Sequence, residues 1–322
     1  MDMIVEHPPI PLGEKEFEAG APVAVRNRCP HRSFPLAKGR LIGDKLMCGY
    51  HVMQFDPSRC CVNMPSMPIV PSNAQVRSFD LVERAPLIWI WMGDPNNAAE
   101  SLVPDTPWLN DKNWKSVSGQ FFLNSDYVSM HQNLLDQTHF PFLHPGVIGT
   151  PEYARSKLKI RRDDEVVIID RLLKNSPPPG VYAMPTGLTG KRVDRHSEAR
   201  FQSPALHVAF VKIVDPTPPP SALAEYCFNI THIFTPENNE SIHYWWFNSR
   251  NFDLQNKASD EFLHAASDKA YLEDVEALDW IMDVVRKDIE KQFDLNFAPD
   301  KPGLLMRRAL YDRAAAEADY EL

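Results

Sequence analysis

The sequence predicts an α+β chain of two domains, a small all-β domain followed by an antiparallel sheet with helices at its ends. Three observations predict it. At 322 residues the chain exceeds one small module and suits two domains. Its 29 prolines against 13 glycines favour shaped loops over long helices. Short apolar runs dominate the first 250 residues, and the longest helical periodicity appears only over 259–292.

In order along the chain, Ala21–Val25 and Leu87–Met92 read as strands, the second apolar enough to be buried on both faces. Gly93-Asp94-Pro95-Asn96-Asn97 then breaks the pattern, so the domains are expected to be 1–104 and 105–322. Residues 124–140 have helical character. Glu165–Asp170, Leu206–Val214, Tyr226–Phe234 and Ile242–Asn248 read as successive strands. The helix over 259–292 has an apolar stripe through Leu263, Ala270, Leu278, Ile281 and Val285, and a last helix is expected at Gly303–Ala318. Proline clusters at Pro8-Pro9, Ser176–Gly180 and Pro216–Pro220 read as surface connections.

Forty-three acids against 34 bases give a net charge of −9, which argues against a nucleic-acid partner. No window approaches the roughly 18 uninterrupted apolar residues of a membrane span. The first twenty residues lack a basic stretch followed by an apolar one, so no export signal and a cytoplasmic location are expected. The unusual counts are five cysteines, an odd number, and eleven histidines, and the cysteines are expected to be metal ligands or plain thiols rather than disulfide partners.

Two constellations carry chemistry. In residues 28–51, Cys29-x-His31 is followed after sixteen residues by Cys48-x-x-His51. Two loops, each with one thiolate and one imidazole, suit a Rieske-type [2Fe–2S] cluster, with two cysteines on one iron and two histidines on the other. Gly39 and Gly43 lie in the connecting hairpin, and Pro30 and Gly49 help the backbone turn its amides toward the sulfurs. A Cys₂His₂ zinc site uses the same residue types, but with the cysteines and histidines segregated. In residues 133–144, Asn133, Asp136 and His139 share a helical face, and Pro141 should end the helix so that His144 turns back toward His139. Two histidines with room for one carboxylate make the triad of non-heme Fe(II) oxygenases, with positions left for O₂. Asp274 falls on the apolar stripe of the long helix, where a carboxylate is costly unless paired or metal-bound, so it is the expected third ligand, with Glu273 the alternative. A buried Asp274 paired with an Arg or His remains the plain reading. Asp136 is expected to accept a hydrogen bond from a metal-bound histidine.

C-x-H…C-x-x-H, then N-x-x-D-x-x-H-x₄-H and a late Asp, resembles the α-subunits of Rieske non-heme iron oxygenases, within them the vanillate O-demethylase and dicamba monooxygenase group. LIWIWMGDP at 87–95, ITHIFTPE at 230–237 and FNSRNFD at 247–253 agree with that group. The resemblance covers nearly the whole chain from about residue 18. It implies a Rieske domain, a helix-grip catalytic domain, and a homotrimer in which one subunit's cluster serves its neighbour's iron. Asp136 then matches the carboxylate bridging His51 of one subunit and His139 of the next, and Asn133 the asparagine near the mononuclear iron. An NAD(P)H-dependent reductase, with or without a ferredoxin, would supply electrons. The sequence departs from the group in lacking an aromatic W-Y segment upstream of Cys29, in Val52 where a glycine usually follows the second cluster histidine, and in Arg59-Cys60 where a glycine usually precedes the next cysteine.

The implied reaction is O₂ activation with electrons delivered singly. It would hydroxylate a small aromatic substrate, or convert a methoxy group to a hemiacetal that collapses to phenol and formaldehyde; fold and metals do not choose among these. Phe210, Cys227, Asn229, His264 and Ala265 are the pocket candidates, with His232 read as structural on the opposite strand face. A pocket Arg or Lys would point to a carboxylate substrate, and Lys212 is the nearest in sequence. The contrasting reading is a Rieske electron carrier or redox sensor with no oxygenase activity. It leaves about 200 residues and the second constellation without a role.

Overall fold

The computed structural model describes residues 22–220, 222–290 and 294–318. Pro8-Pro9, the first residue of the expected Ala21–Val25 strand and the last two of the expected helix over 259–292 lie outside them. Two compact units meet in sequence between Asp105 and Thr106.

The first unit is built from short strands. β1 (Ala24–Val25) pairs with β6 (Ser78–Phe79). A four-stranded antiparallel sheet runs β2 (Arg40–Ile42), β3 (Lys45–Met47), β4 (Gln54–Phe55), β5 (Cys61–Asn63). The β2–β3 hairpin turns at Gly43, whose φ of +57° suits a residue without Cβ. Gly39 is required for a different reason: a Cβ there would lie 2.3 Å from the Met47 carbonyl oxygen. Leu36, Met53, Phe55 and Val76 form the core together with Cys29, Cys48 and Cys61. β7 (Leu81–Arg84) pairs with β8 (Leu87–Ile90). The expectation that Leu87–Met92 is covered on both faces fails, because Ile88 and Ile90 are 54% and 41% exposed while their neighbours are half-buried. This is a two-stranded ribbon with one open face.

The second unit is a seven-stranded antiparallel sheet in the order β10-β11-β12-β13-β14-β15-β9. β9 is Lys115–Leu123, β10 Lys159–Asp163, β11 Val166–Ser176, β12 Val193–Ser203, β13 Leu206–Val214, β14 Glu225–Asn238 and β15 Ser241–Arg250. Short helices α1 (Tyr127–Leu135), α2 (Phe140–Leu143), α3 (Pro151–Arg155) and α4 (Gly180–Thr186) lie between strands, and α5 (Lys257–Lys287) and α6 (Lys301–Ala318) close the chain. The loop Ser176–Pro179 leads into α4, which ends at Gly187 in the left-handed region, φ +69°, open to a residue without Cβ. α5 starts where the Asn256 side chain accepts from the amides of Ala258 and Ser259. Its buried stripe runs Ser259, Leu263, Ser267, Ala270, Tyr271, Asp274, Val275, Leu278. The stripe was expected to continue through Ile281 and Val285, but these are 54% and 53% exposed. Beyond Leu278 the contacts are polar: Asp279 accepts from the Asn124 amide and Arg286 donates to the carbonyls of Asn124 and Glu240.

Candidate metal centres and active site

In the first unit Cys29 and Cys48 are buried, 2% and 1% exposed, while His31 and His51 lie at the surface with ring centroids 4.5 Å apart. Backbone bonds shape both loops: Cys29 N–H donates to the Phe34 carbonyl and Cys48 N–H to the Met53 carbonyl. Burial pushes the Cys29 thiol up; the His31 amide opposes this, and the neighbouring Cys48 thiol adds to it. The His31 and Arg32 amides thus face the Cys29 sulfur. All five cysteines are free. Two adjacent buried thiols and two exposed imidazoles are the donor set of a Rieske cluster. Val52 and Arg59, at positions where the resemblance implies glycine, both adopt positive φ, +61° and +69°. The backbone keeps the turn at the expense of strain in two side-chain-bearing residues.

In the second unit α1 is capped by Asp126 and ends at Leu135. Asp136 caps the next turn, its Oδ1 accepting from the Thr138 amide and hydroxyl. Sequence reasoning had Pro141 ending one continuous helix. Instead the break comes at Asp136, and Pro141 opens α2, a position where its missing N–H costs nothing. The result still returns His144 toward His139, with ring centroids 5.4 Å apart. Among the described residues no hydrogen bond joins Asp136 to His139, so the expected contact is not made within the chain. Asn133 has a buried Nδ2 without a partner.

α5 delivers the carboxylate. His144 Nε2 is 3.1 Å and His139 Nε2 3.5 Å from Asp274 Oδ1, and the three ligand atoms lie within 4.8 Å of one another. Asp274 is 2% exposed and His144 fully buried. Burial alone would raise the Asp274 carboxyl, but His139 and His144 outweigh it and hold the group well below the usual range. Burial likewise disfavours the His144 imidazolium, and the carboxylates of Asp274 and then Glu273 overcome it and raise the group. Glu273, the alternative ligand, sits instead behind His144, its Oε2 accepting from Nδ1 at 2.8 Å. That bond leaves His144 Nε2 as the coordinating atom. These three residues could hold one metal ion, and the donor set is that of a non-heme iron site. The fit extends to His139 Nε2, which is buried without a hydrogen-bond partner.

A cavity opens beside this triad and includes Asp274 in its wall. None of the five expected pocket residues lines it. The strand alternation was right and the choice of face wrong. Ala209, Val211, Ile230 and His232 line the cavity, so Phe210, Cys227 and Asn229 point the other way. Phe210 packs edge-on against Trp108 and pairs across the sheet with Asn229, while Cys227 pairs with Lys212 on the same face. His264 and Ala265 are exposed on α5, whose cavity face is Tyr271 and Asp274. His232 bonds the Tyr244 hydroxyl through Nδ1 at 2.7 Å, as a structural histidine would, yet it also faces the cavity. Lys212 pairs with Glu225 at 3.0 Å, on the Phe210 face. Arg195 is the cavity cation that sequence reasoning missed. Its signal was the alternation Val193, Arg195, Ser197, Ala199, Phe201, masked by so many polar residues that no strand was expected there.

Residues 10–79 match the Rieske [2Fe–2S] domain, and residues 123–316 the vanillate O-demethylase oxygenase C-terminal domain. The iron–sulfur subunit of a toluene-4-sulfonate monooxygenase system from Comamonas testosteroni is 34% identical over 262 residues, covering 79% of this chain and 75% of its own. The dicamba O-demethylase oxygenase component of Stenotrophomonas maltophilia is 29% identical over 257 residues, with the same two coverages, 79% and 75%. Dicamba monooxygenase bound to 3,6-dichlorosalicylic acid superposes with a TM-score of 0.83 at 27% identity, over 91% of this chain and 87% of that one. Domain matches, whole-chain similarity and the two donor sets agree: the chain belongs to the vanillate O-demethylase family of Rieske oxygenase components, and the bare electron carrier is set aside.

Proposed function

We propose that the protein is the terminal oxygenase of a multicomponent system, taking electrons from a separate NAD(P)H-dependent reductase, with or without a ferredoxin, to hydroxylate or O-demethylate a small aromatic substrate with O₂. The observation that carries it is the meeting of His139, His144 and Asp274 beside a cavity whose wall includes Asp274. A ferrous ion held by these three would supply the O₂-activating chemistry, since the triad leaves coordination positions open. Cys29, Cys48, His31 and His51 would hold the cluster that feeds it.

The remaining tasks belong to the chain's own residues. Glu273 keeps the His144 Nδ1 proton in place, so the imidazole presents Nε2 at a fixed angle. Leu134, Phe140, Val211 and Ile230 give the cavity an apolar stretch of wall, which favours an aromatic ring there. Asp136 is read as the bridge between His51 of one subunit and His139 of the next, and Asn133 as a neighbour of the iron site. This requires a ring assembly, for which a homotrimer is the reading. Five free cysteines fit a cytoplasmic location, and among the described residues no helix is long and apolar enough to cross a membrane.

His139→Ala tests the proposal. Reconstituted with a reductase and assayed for formaldehyde and hydroxylated products over methoxy-, methyl- and N-methyl-aromatics, it should lose turnover while keeping the visible spectrum of the cluster. Undiminished turnover would overturn the assignment.

A further inference from the structure

The cavity beside the metal triad contains a cation that the reaction chemistry leaves unexplained. Arg195 lies on β12 and is 2% exposed. Its guanidinium carbon stands 4.4 Å from the ring centroid of Tyr153 and 4.9 Å from that of Tyr182. Its Nε donates to the Ser197 hydroxyl at 3.0 Å and one Nη donates to the Ile148 carbonyl at 3.3 Å. Tyr153, Tyr182, Ser197 and Ile148 all line the same cavity. Among the described residues no carboxylate pairs with Arg195. Of the two acids in the cavity wall, Asp274 belongs to the metal triad, and Glu198 pairs with Arg161 and Arg200.

A fully buried guanidinium without a carboxylate is costly, and contacts with two tyrosine faces, a hydroxyl and a carbonyl offset the desolvation without neutralising the charge. The other two deeply buried arginines of this sheet differ: Arg250, 0% exposed, is paired with Asp260 at 2.7 Å, and Arg171, 2% exposed, donates to the Ser156 carbonyl and hydroxyl and does not line the cavity. At Arg195 no neutralising partner stands among the described residues, and the side chain is fixed in orientation at a cavity wall. We infer that Arg195 is the anchor for an anionic group on the substrate, so that the protein takes aromatic acids, carboxylates or sulfonates, in preference to their neutral analogues. The inference rests on the oxygenase reading and narrows it. A planar guanidinium held between two rings has a defined edge for two parallel hydrogen bonds to an oxyanion. Anchored there, the ring lies in a cavity whose wall also carries Asp274, so the acid group and the oxidised group are expected at different positions of the ring.

The test uses matched pairs: 2-, 3- and 4-methoxybenzoate against the corresponding methoxybenzamides, with 4-methylbenzenesulfonate against its sulfonamide. Binding to the holoenzyme is measured by calorimetry, and turnover with a reductase by formaldehyde release or product mass. In the best pair the acid should bind about 100-fold more tightly than the amide, an order of magnitude typical of losing the partner of a buried charge. Arg195→Gln should bring that ratio close to one by weakening the acid alone, with the effect in KM rather than kcat. Arg195→Lys should restore part of the preference, and it also stands in if the glutamine variant does not fold. Equal binding of acid and amide by the wild type in every pair, no binding of any acid, or equal loss of both ligands in Arg195→Gln would each overturn the proposal. Failure of the oxygenase reading looks different: the acids would bind with the stated preference and no ligand would be oxidised.

Discussion

His131 is fully buried, and its Nε2–H donates to the Pro204 carbonyl at 3.0 Å while Nδ1 faces His207 Nδ1 at 3.5 Å. Since a carbonyl only accepts, the proton sits on Nε2 and His207 donates to the bare Nδ1. Burial lowers His131 to about 4, and burial together with the neighbouring histidines lowers His207 well below its usual value. The sign follows from linkage. Between about pH 6.5 and 4 the unfolded chain binds a proton at His131 that the folded chain does not. Stability is therefore complete above about 6.5 and falls as the pH falls through this window, by up to about 3 kcal/mol from this group. Urea midpoints at pH 7 and pH 5 should show the loss, and His131→Gln should make the profile shallower, with His207 and His232 keeping their own shares. The donors that the fold brings together, Cys29 with Cys48, His31 with His51 and His139 with His144, were legible at this scale because their spacing is a local pattern. Phe210, Cys227 and Asn229 misled because alternation gives two faces without saying which one is concave. Arg195 was invisible because a charged residue at a buried strand position breaks the apolar signal that strands are read by.

At the scale of elements, β9 and β15 show how closely the sheet is packed. Trp246 on β15 is fully buried and pairs with Gly119 on β9, where an added Cβ would lie 2.6 to 2.8 Å from three atoms of the indole. Gly119→Ala should therefore cost about 1–3 kcal/mol of overpacking, read as a lowered thermal midpoint of the second unit with the cluster spectrum unchanged. The strands over 206–214 and the long helix were legible because their periodicity is clean. β9 and β12 were not, since Lys115–Leu123 and Val193–Ser203 intersperse Ser, Gln, Asp, Arg and Glu with few apolar residues. The end of the buried stripe on α5 was misjudged for a related reason. Ile281 and Val285 keep the helical spacing after the sheet-facing contacts have become polar, and periodicity does not register what lies opposite.

For the whole molecule, the two donor sets lie in separate compact units with different chemistry: buried thiols in one, imidazoles and a carboxylate beside a cavity in the other. The holoenzyme should contain about three irons per chain. A mild ferrous chelator should take this to about two, with the cluster absorbance retained and turnover lost until Fe(II) is returned; iron assay and the visible spectrum check it. The donor sets also differ in how far apart they lie along the chain. The four cluster ligands fall within residues 29–51, whereas Asp274 is 130 residues from His144. During synthesis a ribosome has therefore released every sulfur and imidazole the cluster needs long before the helix that completes the second site exists. A truncated or heat-loosened chain would keep its colour after losing its capacity to retain the catalytic ion, because binding that ion is part of docking α5.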